Sequence, residues 1–300
     1  MENNKIKLCN NSKLAQDFAE DNGIRPTTVP YLKWAGGKQW LAPFAPLLLP
    51  PNFSGVYFEP FLGAGAFFFA VEPAKAVLTD INSELITTYI AIKENLSLVI
   101  EALKSYPYNK DFYYYIRSKK PHIPHLLAAR IIYLNRTCWN GLYRVNQSGE
   151  FNVPFGRFKN PIICDEGRLR SAVKLLNRAK IYCCDFQKAV EVTRRGDFVY
   201  FDPPYITGHK DNGFLKYNTR LFSWSDQERL SQVAISLRDR GVWVLISNAD
   251  HNKVISLYKG FFYYKISRKS LIGGLGSNRG VVTEALLSNY PLFGIHSEGI

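Results

Sequence analysis

The chain has 300 residues, 46% hydrophobic and 14% aromatic, and its 38 Lys and Arg against 25 Asp and Glu leave a formal charge of +13. At about 150 residues per domain this is one large or two modest domains, and the apolar content excludes a disordered chain. No apolar run approaches the roughly 20 residues of a membrane span. Leu126 to Leu134 is interrupted by Arg130, and the polar stretch Met1 to Asn11 lacks the apolar core of a signal peptide, so a cytoplasmic, membrane-free protein is expected. Five cysteines, an odd number with no C-x-x-C and with Cys183 beside Cys184, argue against a disulfide framework and against zinc. The charge itself fits either solubility or a polyanionic partner.

In chain order, residues 1–29 read as a polar arm with a helix from Ser12 to Asp21. Val56 to Phe58 is a short apolar strand, Gly63 and Gly65 a turn, Ala66 to Val71 a helix, and Ala76 to Leu78 a second strand ending at Thr79-Asp80. That succession is a βαβ pattern. From about Ser83 to Ala179 the texture becomes helical and rich in Tyr, Lys and Arg, with amphipathic helices at Glu94 to Ser105 and Leu126 to Asn135. A hairpin interrupts it: Leu142 to Asn146 and Glu150 to Val153 flank Gln147-Ser148-Gly149. The α/β rhythm resumes with strands at Ile181 to Cys184, Phe198 to Phe201, Val242 to Ile246, Phe262 to Ile266 and Thr283 to Leu287. The S-x-x-E spacing of Ser225 and Glu228 predicts a capping box for a helix to Arg240. The expected organisation is an arm (1–29), a sheet domain (30–84 and 178–300) and an inserted, mostly helical domain (85–177).

Three motifs carry chemistry. In Glu59-Pro60-Phe61-Leu62-Gly63-Ala64-Gly65, glycines directly after a strand let backbone approach a ligand, and Asp80, fifteen positions on, can accept two ribose hydroxyls. The dinucleotide pattern G-x-G-x-x-G fails at Phe68, so an adenosine-bearing ligand without a pyrophosphate fits better; an ordinary strand–helix turn is the plain alternative. Trp34-Ala35-Gly36-Gly37-Lys38 is no P-loop, because Leu32 and Gln39 stand where Gly and Ser or Thr are required. Asp202-Pro203-Pro204-Tyr205 follows an apolar strand and is the most specific of the three. Two prolines fix the backbone and remove two donors, leaving carbonyl and carboxylate acceptors beside an aromatic face. Such a site suits a planar group bearing an NH₂.

Together, W-A-G-G-K, E-P-F-x-G-x-G, a long insertion, D-P-P-Y, Asp80-Ile81-Asn82 and Leu245-Ile246-Ser247-Asn248 resemble the Dam-type DNA adenine-N6 methyltransferases, the alpha-ordered D12 class, from Tyr31 to about Tyr290. The resemblance implies an α/β fold: a Rossmann-like methyltransferase mixed sheet whose helical insertion, with its β-hairpin, is the target-recognition domain. It implies S-adenosylmethionine as donor. Trp34 would lie near its adenine, Lys38 near its carboxylate, Gly63 and Gly65 at its methionine part, Asp80 at its ribose, and Asp185 with Phe186 at the adenine end. Ala35, Gly36, Glu59, Pro60, Phe61 and Asp202 complete the expected donor site. Asp202, Pro203, Pro204 and Tyr205 would hold a flipped-out adenine of duplex DNA. Arg144 would read a guanine; Asn140 and Asn146 would read base edges or phosphates. Leu142 and Pro154 would touch a thymine methyl, while Trp139, Arg157 and Lys33 complete the DNA contacts. Lys159 and the glycine-rich loop Leu271 to Gly280, with Arg279, would meet phosphates. GATC is the implied site, with GATATC, cytosine N4 or RNA as alternatives and a non-enzymatic DNA binder as the reading from another class. A monomer is expected, a restriction nuclease partner is left open, and much of the +13 should cluster on the insertion.

Overall fold

The computed structural model describes residues 28–34, 36–146, 148–205, 222–269 and 281–292. Most of the expected arm, Ala35, Gln147 and the glycine-rich loop lie outside them. In chain order the elements are a 3₁₀ helix Ala42–Leu48, β1 Tyr57–Glu59, α1 Ala66–Val71, β2 Ala76–Asp80, α2 Ser83–Ser105, α3 Lys110–Ser118, α4 Pro124–Thr137 and a 3₁₀ turn Trp139–Gly141. They continue with α5 Glu166–Leu176, β3 Ala179–Cys183, α6 Phe186–Ala189, β4 Phe198–Phe201, α7 Trp224–Asp239, β5 Trp243–Ala249, α8 Asn252–Ile255, β6 Phe262–Lys269 and β7 Val281–Ser288. This is an α/β protein with both parallel and antiparallel strand pairs.

The chain forms two compact units. One holds Pro43–Phe61 and the chain from Phe186 onward; the other holds Pro26–Ala42 and Leu62–Asp185. In the first, β4 pairs in parallel with β1 and β5, and β7 runs antiparallel between β5 and β6. All four residues of β4 and six of the seven in β5 are buried, the continuous apolar pattern of strands covered on both faces. In the second unit β2 pairs in parallel with β3, and α2 packs along α4 and α5. Residues 62–84 therefore share a unit with the helical stretch that follows them.

Local chemistry sets the element ends. The side chains of Asn82, Asn109 and Asp165 each accept a backbone N–H two or three residues into α2, α3 and α5, and Pro124 opens α4 where its missing N–H costs nothing. The sequence reading missed α3, α5 and the first eleven residues of α2, where Thr87, Thr88 and Tyr89 blur a helical pattern. The capping box before α7 is Ser223 with Asp226, not Ser225 with Glu228: Ser223 and Asp226 bond reciprocally, while Glu228 accepts from Trp224 Nε1 at 2.9 Å. The expected hairpin is a single antiparallel bridge, Val145 to Phe151, flanked by backbone bonds from Asn146 to Glu150 (2.8 Å) and Asn152 to Arg144 (3.0 Å). Among the described residues no helix is long and apolar enough to cross a membrane.

Candidate functional site

In the unit of Leu62–Asp185, the turn after β1 is shaped by Gly63 (φ 48°) and Gly65 (φ 67°), in the left-handed region that side chains disfavour. A Cβ on Gly63 would sit 3.1 Å from Cδ1 of Trp34, and one on Gly65 would sit 3.2 Å from the Tyr89 hydroxyl. That hydroxyl donates to the Gly63 carbonyl at 3.0 Å. Asp80, ending β2, accepts the N–H of Gly63 (3.1 Å) and of Asn82 (2.9 Å). Burial pushes its pKa up, and these N–H groups oppose the shift. The same carboxylate thus holds the glycine turn and lies at the strand end where open α/β sheets bind ligands. Lys38 is buried, with Nζ 2.9 Å from the Gly36 carbonyl. Asp185 is half-buried at the end of the segment after β3. Ile81, next to Asp80, is 68% exposed, an apolar surface the sequence reading did not single out.

In the other unit, Asp202-Pro203-Pro204-Tyr205 leaves the carboxyl end of β4. Asp202 Oδ1 accepts from the hydroxyl of Ser247, on β5, at 2.7 Å, so Tyr200, 3.0 Å from the same Ser247 oxygen, is the donor there. Tyr205 donates to Glu284, a buried residue on β7, at 2.7 Å. Burial, then Asp202, pushes the Tyr200 phenol well up; burial, then Glu284 and Asp202, does the same for Tyr205, so both stay protonated donors at neutral pH. Glu59 is buried and accepts from Tyr57 at 2.5 Å, and Pro60 is buried beside it. Phe61 stacks on Phe186 at 5.3 Å between ring centres and meets Phe222 edge-on at 5.5 Å, with Arg229 capping Phe186 at 4.1 Å. Sequence reasoning missed Glu284, although an acid inside an apolar strand was a readable signal, and it gave Ser247 no task.

Apart from the glycine-rich loop with Arg279, which lies outside the described residues, the predicted DNA contacts lie in the unit of Pro26–Ala42 and Leu62–Asp185. Trp139 is 54% exposed, and its backbone N–H donates to the Pro154 carbonyl at 2.9 Å. Asn140 (φ 56°) and Gly141 (φ 64°) form a left-handed pair, which makes this a turn. Leu142 is half-buried, and Pro154 and Arg157 are exposed. Arg144 is exposed, with Nε bonded to Asn152 Oδ1 at 2.8 Å. Asn146 builds its own turn: it accepts the N–H groups of Ser148 and Glu150 and donates to the Glu150 carboxylate at 3.0 Å. Lys33 is exposed, and its backbone N–H and C=O are both held by the amide of Asn135, at 2.8 and 2.6 Å. Next to it, Trp34 stacks on Tyr143 with ring centres 4.7 Å apart. Residues 85–177 carry 14 Lys and Arg against 6 Asp and Glu, a net +8 of the chain's +13 in under a third of its length. Among the described residues no group of three or more His, Cys, Asp or Glu is placed to hold a metal.

Comparison with known proteins identifies the family. Residues 34–272 match the family of D12 class N6 adenine-specific DNA methyltransferases. A type II methyltransferase, M1.LlaDCHI, of Lactococcus lactis subsp. cremoris is 41% identical over 273 residues, covering 87% of this chain and 95% of that protein. The type II methyltransferase M.MjaIII of Methanocaldococcus jannaschii is 38% identical over 285 residues, covering 87% and 99%. The DNA adenine methylase of Escherichia coli K12 is 34% identical over 267 residues, covering 87% and 95%. A solved putative RNA methyltransferase of Pyrococcus horikoshii is more distant, with 9% identity and a TM-score of 0.38 over 91% of this chain and 96% of that one. The strand-end D-P-P-Y, the glycine turn tied to Asp80 and a match across most of the chain lead to one assignment: the protein belongs to the D12 class of N6 adenine-specific DNA methyltransferases.

Proposed function

We propose that this enzyme takes the methyl group of S-adenosylmethionine and places it on N6 of a flipped-out adenine within GATC in duplex DNA. The observation that carries this reading is Asp202-Pro203-Pro204-Tyr205 at the end of β4, with Asp202 already oriented by Ser247. Adenine N6 is a weak nucleophile because its lone pair is delocalised into the ring. Asp202 and the Pro203 carbonyl would accept hydrogen bonds from its two N–H groups, draw the nitrogen toward tetrahedral geometry and leave the lone pair to take the methyl as the methyl's bond to the sulfonium sulfur breaks. The sulfur would leave as a neutral thioether, and one N6 proton would pass to Asp202 or to water. Tyr205 would stack on the extruded base in place of its lost neighbours. S-adenosylmethionine supplies an activated sulfonium methyl, so alignment matters more than a strong base.

Groups of the same unit fit that donor: the Asp80 carboxylate for the ribose hydroxyls, a glycine turn that admits close approach, Lys38 for the donor carboxylate, and Trp34 and the exposed Ile81 for the adenine. Asp185 and Phe186, with Ala35, Gly36, Glu59, Pro60 and Phe61, complete the proposed donor site. Residues 85–177 would be the target-recognition domain, where Arg144 reads a guanine and Lys33, Trp139, Asn140, Leu142, Asn146, Pro154 and Arg157 make the remaining contacts. The net +8 of that segment supports phosphate neutralisation, which makes binding weaken as salt rises. The proposed enzyme works as a cytoplasmic monomer, and the type II relatives support a restriction–modification setting with a cognate nuclease.

Sequencing modified bases in DNA from cells expressing the protein tests the base and the site at once. The expected result is N6-methyladenine in GATC. N4-methylcytosine alone would overturn the base assignment, and methylation confined to GATATC would overturn the site.

A further inference from the structure

We infer that Glu284 is a positioning residue for transfer, acting through the hydroxyl of Tyr205; this rests on the proposed role of Tyr205 as the face that stacks on the target base. The two prolines fix the backbone leading to Tyr205, but they leave its side-chain torsions free. The bond from its hydroxyl to Glu284 Oε2 at 2.7 Å holds the far end of the ring. The backbone that carries the acceptor is held on both sides. Glu284 lies on β7 between two antiparallel partners, opposite Ala249 of β5 and Ile266 of β6.

A carboxylate at 2% exposure, followed along its strand by buried Ala285, Leu286 and Leu287, is costly unless hydrogen-bonded, so this position is not one that packing alone would give an acid. The phenol remains a proton donor, because burial and the neighbouring carboxylates disfavour its ionised form. The ring attitude is then set before the base arrives, and the ordering is not charged to the transfer step.

The test uses single-turnover methylation of a short duplex, titration of the donor, and a duplex with 2-aminopurine at the target, whose fluorescence is quenched when the extruded base stacks on Tyr205. Tyr205→Phe keeps the ring and loses the anchor; Glu284→Leu keeps the volume and loses the acceptor; Glu284→Gln keeps an acceptor. Tyr205→Phe and Glu284→Leu should each slow transfer about 10-fold and weaken the quench, with donor affinity within about twofold of wild type. The double variant should be no slower than either single one, because both break the same link. Glu284→Gln should restore the rate to within about threefold of wild type.

Tyr205→Phe matching the wild-type rate and quench overturns the inference, as do losses that multiply in the double variant. If Glu284→Leu does not fold, Tyr205→Phe, which disturbs no strand pairing, decides alone. Wild-type protein that leaves adenine unmodified sinks the proposed function, whereas active wild type with an indifferent Tyr205→Phe sinks only this inference.

Discussion

The segment proposed to capture the base and the ribbon proposed to read the sequence are built on opposite principles. Asp202 and Tyr205 each bond to a residue on a different, buried strand, Ser247 on β5 and Glu284 on β7. Arg144 and Asn146 are exposed and bond within their own ribbon, to Asn152 and Glu150. Strand partners fix a geometry that transfer chemistry needs to within fractions of an ångström. Ribbon partners pre-order a side chain while leaving it accessible to a base edge or a phosphate. Among the described residues that ribbon is held by the Val145–Phe151 bridge and its flanking backbone bonds, with a second bridge from Cys138 to Phe155 at its base, so fewer backbone bonds set its shape than set that of β7 between its two partners.

The largest test of this contrast is Asp202→Ala, which should lower methyl transfer about a thousandfold or more while leaving DNA affinity within a few-fold, read by methyl incorporation beside a gel-shift titration. Loss of DNA binding instead would move Asp202 into the recognition surface. Arg144→Ala should do the converse, relaxing discrimination at one base pair by about 1–3 kcal/mol, measured on duplexes substituted position by position. A uniform loss across all sequences would reassign Arg144 to phosphate.

Asp80→Asn should weaken donor binding about tenfold in calorimetry, since one charged acceptor for the ribose is lost. It should also change the pH profile of stability. Burial raises Asp80 above the usual 3.8, so the folded state keeps the proton longer than the unfolded chain. Stability from this group is greatest below 3.8, falls as pH rises toward the folded value, and is level above it. Melting curves of wild type minus Asp80→Asn across that window should show the decline, and a difference that rises with pH would refute the assignment. Asn152→Ala should have the smallest effect, a loss of about 0.5–1.5 kcal/mol in the discrimination carried by Arg144, read on the same duplexes.

Two of the three motifs of the proposed site were legible in the sequence because they sit where a strand ends, whereas Trp34 to Lys38 precedes the first strand and has no such marker. Phe198–Phe201 is an unbroken apolar run, so D-P-P-Y had to emerge at its carboxyl end, and Asp80 is recognisable at the end of β2 for the same reason. The +8 borne by residues 85–177 was likewise countable from the sequence, as expected of a chain whose charge should cluster on its insertion. Helix starts were harder to read. Ser223 and Ser225 are both plausible caps two residues apart, and only the reciprocal bonds with Asp226 distinguish them.

The amino-acid order by itself determined the family, the α/β class, the motif positions and the excess positive charge, because these depend on residue type and on spacing along one chain. The tertiary structure decided the partners. Ser247 stands 45 residues from Asp202, Glu284 79 residues from Tyr205, and Asn135 102 residues from Lys33. Those pairings follow from strand order and helix packing, where contact is set by folding distance and not by sequence separation, so no local pattern announces them.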